Sequence, residues 1–265
     1  MIEISRIYNE NCIETLRRMP NEFLDMTITS PPYDDLREYN GYHFPVEDIA
    51  DLLLKKTKPG GVVVWVVGDR TVNGSESLTS FRHAITFQEA GFKVHDTMIY
   101  GKNNPIPSDC GKRYRQCFEY MFCFSKGQPK TFNPIMQPIK QEKAFKSFRI
   151  TKVGRNDLAH DHIAPKERKV NNVFFYNVGT SSSRDKIAFE HPAIFPEHLV
   201  SDQIKTWTDA DDLVYDCFMG SGTTAKVAHQ LGRRWLGSEI SAEYIEIAER
   251  RLEAYVPKPK FSAAK

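Results

Sequence analysis

The sequence predicts an α/β fold built on a mainly parallel sheet with helices on both faces. Three observations carry that expectation. Short apolar runs alternate with segments of helical spacing along most of the chain, as in a sheet connected by crossovers. The run Val62-Val63-Val64-Trp65-Val66-Val67 is apolar throughout, the pattern of a strand covered on both faces. A glycine turn, Phe218-Met219-Gly220-Ser221-Gly222, joins the short apolar strand Leu213 to Tyr215 to a helix starting near Thr223.

Taken in order, Ile2, Ile4 and Ile7 lie near a first strand, and Cys12, Leu16 and Met19 have helical spacing until Pro20 stops the helix. Leu24 to Thr29 alternates in the manner of a half-buried strand and runs directly into Ser30-Pro31-Pro32-Tyr33. Two consecutive prolines fix two φ angles and push the preceding residue toward an extended form. They present Ser30 and the neighbouring carbonyls stiffly at the carboxyl edge of the sheet, where open α/β sheets bind ligands. By themselves the same residues also suit a rigid turn with no chemistry. Asp34 to Phe44, polar and containing Tyr39, Gly41 and Tyr42, reads as a mobile loop over a pocket. Val46 to Thr57 reads as a helix with Ile49, Leu52 and Leu53 on its apolar face, ended by Pro59-Gly60-Gly61. Leu78 to Ala90 is a second helix, closed by Gly91, and Phe92 to Tyr100 and Cys117 to Phe124 form a hairpin-like strand pair.

From Lys126 to Lys186 the periodicity fails. Prolines interrupt it, and 13 Lys or Arg stand against 5 Asp or Glu, a net of +8 in a chain whose formal total is +2. Phe132, Phe145, Phe148, Phe174, Phe175 and Tyr176 are interleaved with the cations. A patternless tract of this length inside a compact domain reads as an inserted module, here residues 129–186 between two halves of one domain, 1–128 and 187–257, with 258–265 a flexible tail. Basic and aromatic residues together suit nucleic acid, the cations for phosphates and the rings for bases or for the module's own core. Lys140, Lys143, Arg149, Arg155 and Lys169 are its candidate contacts, joined by Lys102 and Arg113 from the loop inside the strand pair. A solvated basic surface is the alternative. His160-Asp161-His162 has no third ligand at suitable spacing, so no metal site is expected.

The remaining totals bound the class. An apolar content of 40% supports a substantial core, and the five cysteines show neither Cys-x-x-Cys spacing nor an even disulfide framework. No N-terminal signal stretch is visible and no apolar run is long enough to span a membrane, which suggests a soluble, cytoplasmic protein.

After the insert, His191-Pro192-Ala193-Ile194-Phe195-Pro196-Glu197-His198-Leu199 leads into a helix through Ile204 and Trp207, and the glycine turn follows. Glu239 stands 17 positions beyond Gly222, at the end of the next apolar run. That is about the spacing at which nucleotide-binding folds place a carboxylate on ribose hydroxyls. The final helix spans Ala242 to Ala254. A nucleoside-bearing ligand is therefore expected at the turn. A P-loop would need Lys directly after the last glycine, and none is there; a dinucleotide fingerprint, with Ala225 at its last position, and a structural turn both remain open.

Asp216-Cys217-Phe218-Met219-Gly220-Ser221-Gly222-Thr223-Thr224 resembles the cofactor motif of the amino-group DNA methyltransferases, and Ser30-Pro31-Pro32-Tyr33 resembles their catalytic motif. The order, catalytic motif first and cofactor motif last with a target-recognition region between, is similar to their permuted β class, and the stretch His191 to Leu199 resembles the motif just upstream. The likeness covers nearly the whole chain outside residues 130–180. It implies a doubly wound, mainly parallel seven-stranded sheet of the Rossmann-like methyltransferase kind, circularly permuted, and S-adenosylmethionine as cofactor. It further implies that Phe218, Gly220 and Gly222 wrap the methionine moiety with Asp216 at its edge, that Ser221 and Thr223 also bind the cofactor, that Glu239 takes the ribose hydroxyls, and that Asn11 lies beside the adenine. Ser30 and the Pro31 carbonyl would hold the exocyclic amine of a flipped-out base, with Pro32 stiffening the turn and Tyr33 stacking on the base. Serine at the first position is associated in the family mainly with N4-cytosine methylation, and Asp or Asn there with N6-adenine, the alternative product. Carbon-5 methylation would need a Pro-Cys nucleophile, and the cysteines here follow Asn, Asp, Gln, Phe and Asp. The implied partner is double-stranded DNA, with RNA and a catalytically silent DNA-binding subunit as alternatives. A cognate restriction endonuclease, a bacterial or phage origin and a monomeric or homodimeric state complete what the family suggests.

Overall fold

The computed structural model describes residues 2–32, 44–105, 111–139, 150–151, 154–155, 166–179 and 185–255. The chain enters through β1 (Ile7–Asn9), α1 (Cys12–Arg18) and β2 (Leu24–Thr29), then α2 (Val46–Lys56) and β3 (Thr57–Val67). A small hairpin, β4 (Thr71–Val72) and β5 (Ser75–Glu76), precedes α3 (Thr79–Ala90), β6 (Lys93–Lys102) and β7 (Phe118–Ser125). Next come β8 (Met136–Pro138), β9 (Ile150–Thr151), β10 (Gly154–Arg155), β11 (Glu167–Lys169) and β12 (Val173–Tyr176). The last stretch holds a 3-10 turn (Lys186–Glu190), α4 (Glu197–Trp207), β13 (Leu213–Asp216), α5 (Thr223–Gln230), β14 (Arg234–Glu239) and α6 (Ala242–Tyr255).

Eight strands form the main sheet, in the order β1–β14–β13–β2–β3–β7–β6–β12. All neighbours are parallel except the two pairings of β7, so β7 alone runs against the other seven. The sheet is thus mixed, with one strand more than the expected seven. The extra strand is β12, from the tract expected to be wholly inserted. Its register runs from Val173 opposite Ile99 to Tyr176 opposite Lys102. Packing explains why it joins: Tyr176 is buried, its hydroxyl donates to Asp202 at 2.8 Å, and the Phe175 ring covers Gly101, where a Cβ would come within 2.6 Å.

Successive side chains on a strand point to opposite faces, and β3 shows it cleanly. Val63, Trp65 and Val67 pack with residues of α1, α2 and α3, while Val62, Val64 and Val66 pack with those of α4 and α5. The alternating strand β2 is buried at all six positions rather than half-buried, because it lies at the centre of the sheet between β13 and β3. Its polar residues are therefore matched individually. Asp25 is held by Lys58 and Lys130 at 2.7 Å each and by the Leu213 backbone N–H at 2.9 Å. Burial alone would raise its pKa; the two lysines hold it below the ordinary value.

Residues 134–171 form a second compact unit. Within it β8 pairs antiparallel with β11, and β9 with β10. The four described cysteines are unbridged, and no described helix is long and apolar enough to cross a membrane.

Candidate active site

Strands β2 and β13 come from opposite ends of the chain yet lie side by side and parallel, with Val214 opposite Met26 and Tyr215 opposite Thr27. Their carboxyl ends therefore open on the same edge. From β2 the chain returns through α2 to β3 on one side, and from β13 through α5 to β14 on the other. The edge between them is the switch in strand order where such sheets bind ligands. A hydrogen bond closes the junction: Thr29 Oγ1 donates to Asp216 Oδ1 at 2.6 Å. Beyond Thr29, Ser30 is half-buried, Pro31 buried and Pro32 exposed; Tyr33 lies outside the described residues.

Asp216 also accepts from the Phe218 backbone N–H at 3.0 Å and from Thr224 Oγ1 at 2.6 Å. One buried carboxylate thus ties the end of β2, the start of the glycine turn and the first turn of α5. Burial pushes its pKa up to about 6, against the opposing pull of those three donors. The glycines of the turn are required by space as well as by angle. Gly220 has φ +50°, and a Cβ there would come 3.1 Å from His191 Nε2; Gly222 has φ +78°, and a Cβ would sit 2.9 Å from that of Ala248 in α6. Glu239, at the end of β14, accepts from the Gly220 N–H at 2.8 Å and the Ser241 N–H at 2.9 Å. His191 fills the space beside Gly220, its Nδ1 accepting from the Ala193 N–H at 3.1 Å and its ring 4.2 Å from that of Tyr244. Burial lowers its pKa, so the neutral ring is favoured.

The half-buried Phe218 ring lies tilted at 46° to Phe44, 5.7 Å away, and meets Trp65 edge-on at 6.2 Å. Asn11 is the N-cap of α1, its Oδ1 accepting from the Ile13 N–H at 2.9 Å. Of the basic candidates, Lys102 is paired with Glu119 at 2.6 Å, which neutralises it. Arg113 reaches the Gly74 carbonyl and lies 3.7 Å from Glu76. Lys169 is exposed on β11, and Arg155 lies on β10. Lys140, Lys143, Arg149 and the His160-Asp161-His162 stretch fall outside the described residues. Among the described residues no group of His, Cys, Asp or Glu is arranged to hold a metal ion.

Sequence reasoning missed the support behind the turn. Arg251 of α6 is fully buried, and its Nη1 donates to the Ser221 carbonyl at 2.7 Å, Ser221 Oγ at 3.1 Å and Thr223 Oγ1 at 2.9 Å. Its Nε bonds Asp185 and its Nη2 bonds Glu197 at 2.9 Å. Lys226 of α5 reaches the same two carboxylates, at 3.2 Å and 2.8 Å. Two cations thus face two anions. Burial would raise the pKa of Asp185, but Arg251 and Lys226 hold it below the ordinary value. The only local signal is polarity out of place: Lys226 stands between Ala225 and Val227 in a buried helical run.

A stiff serine–proline strand end beside a glycine turn and a strand-end carboxylate places the protein in the class of doubly wound α/β proteins with a ligand edge at the switch point. Comparison with known proteins narrows this. The N6/N4 DNA methylase family profile matches residues 24–250, and the chain belongs to that family. It is 49% identical over 239 residues to the orphan methyltransferase M.BamHII of Bacillus amyloliquefaciens, covering 88% of this chain and 90% of that one. It is 28% identical over 286 residues to the type II methyltransferase M.HinfI of Haemophilus influenzae, covering 97% and 70%. Among solved structures the fold is similar to that of the PvuII DNA methyltransferase, described as cytosine-N4-specific, with a TM-score of 0.71, 24% identity and coverage of 98% and 91%. It is similar also to M1.HpyAVI in complex with SAM, with a TM-score of 0.61, 24% identity and coverage of 93% and 99%.

Proposed function

We propose that the protein transfers a methyl group from S-adenosylmethionine to the exocyclic N4 of a cytosine flipped out of double-stranded DNA. The observation that carries this reading is the Thr29–Asp216 hydrogen bond, which sets the Ser30-Pro31 strand end against the glycine turn. The residues present fit the cofactor. The positive-φ glycines Gly220 and Gly222 shape the turn against His191 and Ala248, Phe218 offers a half-buried ring at its mouth, and Glu239 brings a carboxylate to the adjacent strand end. Asp216 acts by holding the turn, since its oxygens are engaged by three protein donors. Asn11, the cap of α1, is assigned to the adenine side of the bound cofactor. Bound there, the cofactor supplies a methyl already activated by the positive sulfur.

The chain's own residues supply position. An exocyclic amine is a poor nucleophile because its lone pair is delocalised into the ring. Ser30 Oγ and the Pro31 carbonyl accept its two N–H bonds, which favours a more pyramidal nitrogen and frees the pair. The prolines hold these acceptors without reorganisation, and Tyr33 stacks on the extruded base, offsetting part of the lost helical stacking. Residues 134–171 are the part that reads the target, with Arg113, Arg155 and Lys169 among the phosphate contacts. Lys102, neutralised by Glu119, has a lesser part.

Ser30, with the likeness to a cytosine-N4-specific enzyme, favours cytosine over the N6 of adenine. Incubating the protein with S-adenosylmethionine and DNA, digesting to nucleosides and identifying the modified base by mass spectrometry tests both points. N4-methylcytosine is the expected product. N6-methyladenine would overturn the choice of base, and no methylated nucleoside would overturn the activity.

A further inference from the structure

Arg251 of α6 bonds Ser221, Thr223, Asp185 and Glu197 at once. Ala248 and Arg251, three residues apart, share one face of α6. Ala248 closes on Gly222, and Arg251 bonds the residues on either side of it, Ser221 and Thr223. The guanidinium is itself aimed from behind by Asp185, just before the 3-10 turn, and Glu197, the first residue of α4. A planar fork donates in several fixed directions at once, which an ammonium cannot reproduce. The bonded atoms of the turn include a main-chain carbonyl, so the fork sets backbone shape as well as side-chain rotamers.

We infer that Arg251 is a positioning residue for the cofactor: it holds the Ser221–Gly222–Thr223 turn in the shape that receives the methyl donor, with Asp185, Glu197 and Lys226 as the counter-charges that aim it. This rests on the reading of the turn as the cofactor site. The role has a specific consequence. Loosening the turn weakens cofactor binding, whereas the acceptors at Ser30 and Pro31 stay in place, so KM for the cofactor rises while kcat is kept. A merely structural role would instead lower thermal stability without separating the two constants.

The test is Arg251→Lys in the full-length chain, which keeps the buried charge and removes the fork. The expected result is an increase of about tenfold in the S-adenosylhomocysteine Kd by calorimetry and in the cofactor KM, with kcat within about twofold. Unchanged Kd and KM would overturn the inference, as would a fall in kcat with KM unchanged. Should that variant fail to fold, Glu197→Gln at the partly exposed end of the network carries the same test, with about a threefold weakening expected and unchanged affinity overturning it. The wild-type protein separates the two levels: if it binds no S-adenosylhomocysteine, the cofactor reading fails and this inference falls with it, whereas equal binding by wild type and variant removes Arg251 alone.

Discussion

The two strand ends that meet at the site are held by different means. On the β13 side almost every polar group of the turn is fastened by another charged or polar group: Asp216 by three donors, Glu239 by two backbone N–H groups, Ser221 and Thr223 by Arg251. On the β2 side stiffness comes from covalent geometry, two prolines in succession, and Thr29 adds its bond to Asp216. Noncovalent support can be tuned by charge and pH, and ring closure cannot. On the proposed reading, the cofactor end should therefore respond to titration and to distant mutations, and the substrate end to local ones.

Four experiments press on that contrast. The largest effect belongs to Ser30→Ala, expected to lower kcat by about 100-fold or more while S-adenosylhomocysteine affinity stays within about twofold; calorimetry beside single-turnover kinetics would expose a loss of binding instead. Gly220→Val puts a branched side chain at a positive φ and against the His191 ring, and should weaken the same affinity by about 10- to 100-fold with the fold retained by circular dichroism. Asp216 gives the pH signature. With its folded pKa raised to about 6, the folded chain keeps a proton between about pH 4 and 6 that the unfolded chain has lost. Its contribution to stability is therefore greatest at low pH and falls as pH rises through that window, by up to about 1.4 kcal/mol per unit. Denaturant titrations across the window should show this slope flattened in Asp216→Asn, and an equal slope in the variant would show that the carboxyl does not titrate there. The smallest effect is assigned to Lys102→Ala. Because Glu119 already neutralises Lys102, the slope of log affinity for DNA against log salt should change by less than about one, whereas replacing the cations between Lys140 and Lys169 should reduce it by more.

Much of this architecture is readable in the residues. The unbroken run Val62 to Val67, the stop at Gly91 and the turn at Gly220 and Gly222 each reflect a local steric demand, and local demands leave local spacing. Three features escape for the converse reason. Strand β12 is apolar at four successive positions but sits within a basic tract, and only its partner Ile99 to Lys102, some 70 residues away, makes it a strand. Asn11 precedes a helix with Glu14 in its first turn, a cap pattern that competes with the cofactor role the resemblance suggested. Arg251, Asp185, Glu197 and Lys226 converge from four separate segments, and no spacing along the chain announces a pairing made across it. The burial of β2 on both faces escapes likewise, since Asp25 reads as solvent-facing until Lys58 and Lys130 are seen to meet it.

The chain leaves the main body after Asn133 and re-enters at Asn172. Both asparagines are fastened there. The Asn133 backbone N–H donates to the Thr206 carbonyl at 2.8 Å and its side chain to the Lys205 carbonyl at 3.2 Å. Asn172 donates to the Thr97 carbonyl at 3.1 Å and to Asp96 at 3.3 Å. Two anchored ends make the 134–171 stretch a cassette: a different sequence grafted between the same asparagines can keep these anchoring bonds. If 134–171 reads the target, as proposed, such a graft gives one methylating scaffold a new DNA address without rebuilding its engine.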